Sequence, residues 1–181
     1  IMERDWAFGL LELGARYDQR AIEADPVSIL PSYRQASDYY DDKTFDSVSL
    51  SAALTWRLDK QKFGISASRS QRAPVADELY WNGDHHATFS FQLDNPDLNI
   101  ETAYSLDLTW TYEELDYQLQ GTAYYYDFDG YIYNDLKSMA DPFHGNPVYR
   151  NEQEDAWFVG TEWQFDYHVN DNLQWFLQAD F

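Results

Sequence analysis

The sequence predicts an all-β fold of antiparallel up-and-down strands, a fragment of transmembrane β-barrel wall, on three observations. Apolar and polar residues alternate along most of the chain, short and long connections alternate between the strands, and Trp and Tyr gather beside the short ones.

The alternation is plainest over Glu101–Tyr112. Tyr104, Leu106, Leu108, Trp110 and Tyr112 share one parity, while Ala103, Ser105, Asp107, Thr109 and Thr111 share the other. Successive side chains of a strand point to opposite faces, so one face here suits hydrocarbon and the other water. The first strand runs from Trp6 to about Ile22, with a slip of phase near Leu10 and Leu11 that reads as a bulge. Val48, Leu50, Ala52, Leu54, Trp56 and Leu58 then oppose Ser47, Ser49, Ser51, Ala53, Thr55 and Arg57, and Phe63, Ile65 and Ala67 resume the pattern after a tight turn at Asp59–Lys62. A turn through Glu113–Asp116 leads into a Tyr-rich strand from Tyr117 to about Asn134. A last hairpin carries Trp157, Val159, Thr161, Trp163, Phe165 and Tyr167 on one parity, turns at Val169–Asp171, and continues with Leu173, Trp175, Leu177, Ala179 and Phe181. That makes seven strands.

Their connections are about 20 residues around Asp25 to Lys43, nearly 30 from Arg72 to Ile100 and some 15 after Leu136, each long one separated from the next by a tight turn. Long and short loops therefore segregate to opposite ends, as in bacterial outer-membrane barrels with short periplasmic turns and long extracellular loops. Trp6, Trp56, Trp110, Tyr112, Tyr117, Tyr167 and Trp175 lie near the short-turn end, where amphipathic rings form a girdle at a membrane interface. The opposite parity would line the interior, with Ser105, Asp107, Thr109, Glu162, Gln164 and Asp166 in contact with water.

Composition narrows the function. A formal net charge of -20, with only 12 Lys and Arg spread along 181 residues, argues against a nucleic-acid partner. No run approaches the roughly 18 apolar residues a membrane helix needs, and a mean hydropathy of -0.64 is what alternating membrane strands produce by averaging. The absence of Cys removes disulfides and thiolate metal sites without deciding the compartment. Seven strands cannot close a bacterial barrel, whose strand number is even, and the chain opens at Ile1 and stops at Phe181 in mid-pattern. The expectation is that residues 1–181 are one partial barrel domain cut from a longer protein.

The segment after the third strand holds Gln71-Arg72-Ala73-Pro74, Asp77-Glu78-Leu79-Tyr80, Asn82-Gly83, His86-Ala87-Thr88, Asn95-Pro96-Asp97-Leu98 and Glu101. In this order it resembles the TonB-dependent outer-membrane receptors, whose C-terminal barrel half has an Arg-Ala-Pro strand end, a Glu-Leu-Tyr turn, a Gly-Asn-Pro-x-Leu stretch and a Glu opening the next strand. Asp94 departs from the Gly usual before Asn-Pro. Pro74 presets φ for a first helical turn, so a short helix is expected over Val75 to Tyr80 in an ordered loop. The stretch Asn82 to Thr88 is similar to the zinc-uptake branch. The resemblance implies import across the bacterial outer membrane of a scarce ligand, zinc or another metal or metal chelate, by a barrel of about 22 strands. It also implies a plug domain and a TonB-coupled partner carried by sequence outside this chain, with outer-membrane lipid around the wall.

Imidazole and carboxylate are suitable zinc ligands, which makes Asp84, His85, His86, Asp141 and His144 the metal candidates, and Arg72, Glu78, Tyr80 and Asn82 are candidates for the ligand loop. No cofactor is implied beyond zinc as cargo. Catalysis is not expected. Glu113 with Glu114 sits in a tight turn, and Asp127 with Asp129 shares one strand face without a cleft; neither a Gly-x-Ser-x-Gly elbow nor a phosphate-cradling loop is present. The rival reading is a soluble, aromatic-rich β-sandwich that binds carbohydrate, and it requires Leu50, Leu106, Leu108 and Val159 to be sealed in a core.

Overall fold

The computed structural model describes residues 2–6, 9–24, 40–140 and 144–181. Strands β1 (Met2–Trp6), β2 (Gly9–Ile22), β3 (Lys43–Leu58) and β4 (Gln61–Arg72) precede a helix α1 (Ala76–Tyr80) and two short strands, β5 (Gly83–His85) and β6 (Ser90–Leu93); β7 (Glu101–Glu113), β8 (Tyr117–Ser138), β9 (Val148–Asn170) and β10 (Leu173–Asp180) follow. One sheet runs β1-β2-β3-β4-β7-β8-β9, with β10 also on β9. Every pairing is antiparallel except β6 on β9. Because β8 pairs with β9 from Val148 to Tyr167, β10 and β6 share the other edge of β9, β10 near the short turns and β6 near the long loops.

Register lines the residues of one parity into rows across the wall. Leu54, Ile65, Leu108, Ala123 and Thr161 make one row, and Trp56, Phe63, Trp110, Gly121 and Trp163 the next toward the short turns. This face is open. Leu50 is 50%, Leu106 41%, Leu108 49% and Val159 62% exposed, while Ser105, Asp107 and Thr109 on the opposite face are half-buried. A water-soluble sheet buries its apolar parity; here the polar one is sheltered, as befits the inside of a curved wall. Asp107 accepts from the Tyr126 hydroxyl at 2.8 Å and from Ser66 Oγ at 3.2 Å, and Ser68 and Ser105 hydroxyls meet at 2.7 Å.

The apolar belt has a definite height. Its lower limit is the row of Tyr117 and Tyr167, its upper the row of Arg69, Tyr104 and Asp127, where charge appears on the outward parity. The ten residue steps from Tyr117 to Asp127 span about 33 Å of strand, and a tilt of about 40° reduces that to about 25 Å, the height of a lipid-facing band. Register shifts fall outside this belt, at Leu173/Gln174 below it and at Phe128/Tyr131 and Leu136/Ser138 above it. The placement is physical, since a bulge leaves a backbone group unpaired, which is costly in hydrocarbon and cheap in water.

Several expectations change. The phase slip near Leu10 is not a bulge: Trp6 belongs to β1, which pairs back on β2 with Trp6 opposite Gly9, and β2 pairs with β3 from Gly9 to Ile22 without a shift. Among the described residues the wall therefore has eight strands, β1 to β4 and β7 to β10, rather than seven. The side chain of Trp6, placed in the girdle by sequence, lies outside the described residues, as does most of the Asp25–Lys43 loop. β3, β8 and β9 also extend further toward the long loops than alternation suggested, β9 starting at Val148 instead of Trp157. Above the belt both faces meet water, so a strand there no longer needs an apolar parity and escapes a search for one. The register shift between Phe128 and Tyr131 holds Gly130 at φ +67, and Gly130 N–H donates to Asp155 at 3.1 Å. At the other end a two-residue turn, Asp59-Lys60, closes β3 onto β4, with Asp59 at φ +52, a conformation Asp tolerates. Lys60 Nζ bonds both Glu114 oxygens at 2.6 Å, tying this turn to the next one and holding the Glu114 carboxyl below its usual range.

In the full-length protein in bilayers, a spin label at Leu106 is expected to be relaxed by oxygen dissolved in the lipid and one at Asp107 by a water-soluble reagent. The opposite pairing of accessibilities would overturn the facing assigned to β7.

Candidate functional site

The long loop after β4 is organised by one cation. Register sets Arg72, the last residue of β4, opposite Glu101, the first of β7. Arg72 Nη1 donates to both oxygens of Glu78 in α1 at 3.0 Å, and its Nη2 and Nε reach Glu101 at 3.3 and 3.4 Å. Burial opposes the charge on Arg72, but its bonds to Glu101 and Glu78 outweigh that and raise its pKa above the ordinary value. Glu78 also accepts from Val75 N at 2.9 Å, capping the short helix, and Glu101 accepts from Ile132 N at 2.8 Å.

The helix presses Leu79, fully buried, into a small core with Ile22, Leu98 and Ile132, against which Phe45 and Tyr80 pack. Burying such a Leu contributes about 2 kcal/mol. The segment after α1 is then laced to β9. Asn95 Nδ2 donates to Asn151 O at 2.7 Å; Arg150 donates to Asp94 O and Asn95 Oδ1, both at 3.2 Å. Gln153 imitates a strand neighbour, accepting from Asn99 N at 2.8 Å and donating to Asn99 O and Gly130 O at 2.9 Å. Asp94 has an ordinary negative φ and takes a bond from Asn82 Nδ2 at 3.1 Å, so its side chain braces the turn where the backbone does not require Gly.

These ties leave a chamber of about 330 Å³ near the loop end, lined by Asp77, Glu78, Trp81, His85, Gln92, Asn134 and Asn151. Of the metal candidates, Asp84 and His144 meet: Asp84 Oδ2 lies 3.1 Å from His144 Nδ1, joining the β4–β7 loop to the β8–β9 loop. The other Asp84 oxygen is buried with no hydrogen-bond partner among the described residues. His85 turns its Nδ1 to Thr88 Oγ1 at 3.0 Å, and His86 is exposed. Asp141 lies outside the described residues, among which no three His, Asp or Glu side chains converge as a metal cluster. The loop candidates are engaged within the protein: Arg72 and Glu78 with each other, Tyr80 through its hydroxyl to Asp41 O, Asn82 with Asp94. The sequence drew attention to none of Trp81, Arg150, Asn151 or Gln153. Arg150 and Gln153 hold loop residues 54 to 56 positions away, which leaves no pattern along the chain.

Residues 3–181 match the sequence profile of a family described as TonB dependent receptor-like, beta-barrel. The chain belongs to the TonB-dependent receptors. Solved structures of similar fold include the copper transporter OprC (TM-score 0.71, 16% identity, covering 96% of this chain and 26% of that one) and the FrpB iron transporter of Neisseria meningitidis (0.59, 16%, 93% and 22%). A Serratia marcescens hemophore receptor, HasR, in complex with its hemophore and heme, is also similar (0.55, 21%, 90% and 30%). The receptor segment described here thus spans about a quarter of the length of these chains.

Membership places this receptor wall in the bacterial outer membrane and sets its apolar rows against lipid. The carbohydrate-binding sandwich is not favoured, because its core residues are the exposed ones. The family is one of receptors and transporters rather than enzymes.

Replacing Arg72 with Met removes the cation that faces the Glu101 and Glu78 carboxylates, leaving Glu101 only its bond from Ile132 N among those described. Since the Arg72 side chain is 42% exposed, the expected loss is about 1–2 kcal/mol, less than the about 3–5 of fully buried pairs. Hydrogen exchange on the full-length receptor should show the Leu79 and Trp81 amides exchanging about tenfold faster, with those of Leu106 and Leu108 unchanged.

Proposed function

We propose that the full-length receptor imports a divalent metal ion, zinc being the first candidate, or a compact metal chelate, and that the Asp84–His144 pair is part of its outer recognition site. One observation carries this reading. Asp84 is a carboxylate with one oxygen on an imidazole from a second loop and the other buried with no partner among the described residues. A buried unpaired carboxylate oxygen is costly in a folded protein, and a cation is the ligand that would offset it. Carboxylate oxygen and imidazole nitrogen are the donor types zinc and copper take from proteins. The names of similar structures point the same way, being those of copper, iron and heme receptors.

Two protein donors do not complete a coordination sphere, so the remaining positions fall to the cargo's own ligands, to water, to His85 or His86, or to parts of the receptor outside this chain. Arg72, Tyr80 and Asn82 shape the loop, and Glu78 adds a carboxylate to the chamber wall beside Trp81 and His85. Energy for release into the periplasm would come from the TonB system through a plug domain.

Calorimetric titration of the full-length receptor with zinc and with copper tests the reading. Asp84→Asn and His144→Ala are each expected to weaken binding of the preferred ion at least tenfold, while His86→Ala has a smaller effect. Unchanged affinity in both of the first two variants would remove the pair from the site.

A further inference from the structure

The chamber at the loop end has one wall at α1 and another on β6, β8 and β9. Trp81 is the C-cap of α1, and its N–H donates to Asp77 O at 3.2 Å. Four residues apart, the indole and the Asp77 carboxylate come to the same side of the helix, and both line the chamber. Trp81 is 45% exposed, so ring surface is open to a ligand. Asp77 makes no side-chain hydrogen bond or ion pair among the described residues. Glu78 is held by Arg72, but that one guanidinium also serves Glu101, so with Asp77 three carboxylates face a single cation. The helix side of the chamber is therefore net negative.

The facing wall is made of carboxamides. Asn134 and Asn151 are cross-strand partners on β8 and β9, and Gln92 on β6 pairs with Tyr149. Gln92 Nε2 donates to Asn134 Oδ1 at 3.1 Å, which leaves Gln92 Oε1 as an acceptor and Asn134 Nδ2 as a donor. Asn151 is the group that points to a ligand. It is only 8% exposed, its backbone carbonyl takes the bond from Asn95, and its carboxamide makes no hydrogen bond among the described residues. Its amide atoms are not among the polar atoms sealed inside protein, so they reach the open space that Asn151 lines, which is the chamber. A buried carboxamide without a protein partner is costly until something in the cavity completes it.

Indole and carboxylate on one side take a cation, which the π face attracts and the carboxylate pairs with. Neutral amides and an indole are poor ligands for a transition metal, so the cation this set suits is organic. A primary ammonium has three donors, enough for Asp77 and a carboxamide oxygen together. The carboxamides also offer both donors and acceptors, the complement of an amide. We propose that the chamber binds a small organic molecule bearing a primary ammonium and an amide, the ammonium between Trp81 and Asp77 and the amide on Asn134 and Asn151. A volume of about 330 Å³ lies at the lower end of small-molecule sites, which run from about 300 to 1,000 Å³, and limits the ligand to the size of an amino-acid amide or a dipeptide. Neither Asp84 nor His144 lines the chamber, and the site does not depend on a metal held there.

The test is saturation-transfer NMR on the full-length receptor in detergent, without added metal, using 6-aminohexanamide and its uncharged counterpart hexanamide as probes. The wild type should bind the aminated probe, with hexanamide about tenfold weaker at neutral pH. Asp77→Asn, which keeps the shape of the side chain, should weaken the aminated probe about fivefold, and Trp81→Leu should weaken it by a similar factor. Both residues are exposed, so both variants keep the fold, and their resistance to unfolding in detergent checks it. Asp84→Asn should leave binding of the probe unchanged, which separates this site from the metal pair. Equal binding of the two probes by the wild type, binding of neither, or unchanged affinity in both Asp77→Asn and Trp81→Leu would overturn the site. Loss of the aminated probe in Asp84→Asn alone would overturn it as well, by moving the ammonium to the other loop contact.

Discussion

An unpaired backbone N–H or C=O in hydrocarbon costs several kcal/mol, and this receptor segment is arranged around avoiding that cost. From β2 to β9 the ladder crosses the apolar belt without a shift of register, and the irregular pairings lie where water can reach the backbone. An uninterrupted ladder fixes which side chains share a row. The rows in turn put Trp and Phe at one height, Leu and Ala at the middle and the first charges, Arg69 and Asp127, at the other limit.

Beyond the belt the same strands obey looser rules. β8 and β9 run on into the aqueous region, and the Gly130 bulge brings its backbone carbonyl to Gln153. There the long loop supplies its own order through Arg72, which joins the ends of β4 and β7 to α1. Hydrophobic burial of Leu79 and Leu98 then fixes the helix against the wall. An ion triad, a small core and three side-chain clamps thus hold the loop, and with it Asp84 and Trp81, in set positions.

Reading the residues in order found the strands inside the membrane, the short turns and the helix near Val75–Tyr80. It misread the slip at Leu10, because a short strand folded back on its neighbour and a bulge both change the parity of a stretch by one. It began β9 nine residues late, at Trp157, because alternation fades once both faces are wet. The sequence offered Asp84, His85, His86, Asp141 and His144 together as metal donors, and of these the structure joins Asp84 to His144 across 60 residues.

The sequence by itself determined the all-β class, the parity of each membrane strand and the split between long and short loops, since a strand's two faces meet different solvents and must be written differently at each step. Only the tertiary structure decided which residues stand in one row, which loop atoms meet, and that the Trp163 ring lies over Gly121. Those relations depend on register between strands and on side chains reaching across gaps in the chain, and neither has a period that a single strand can display.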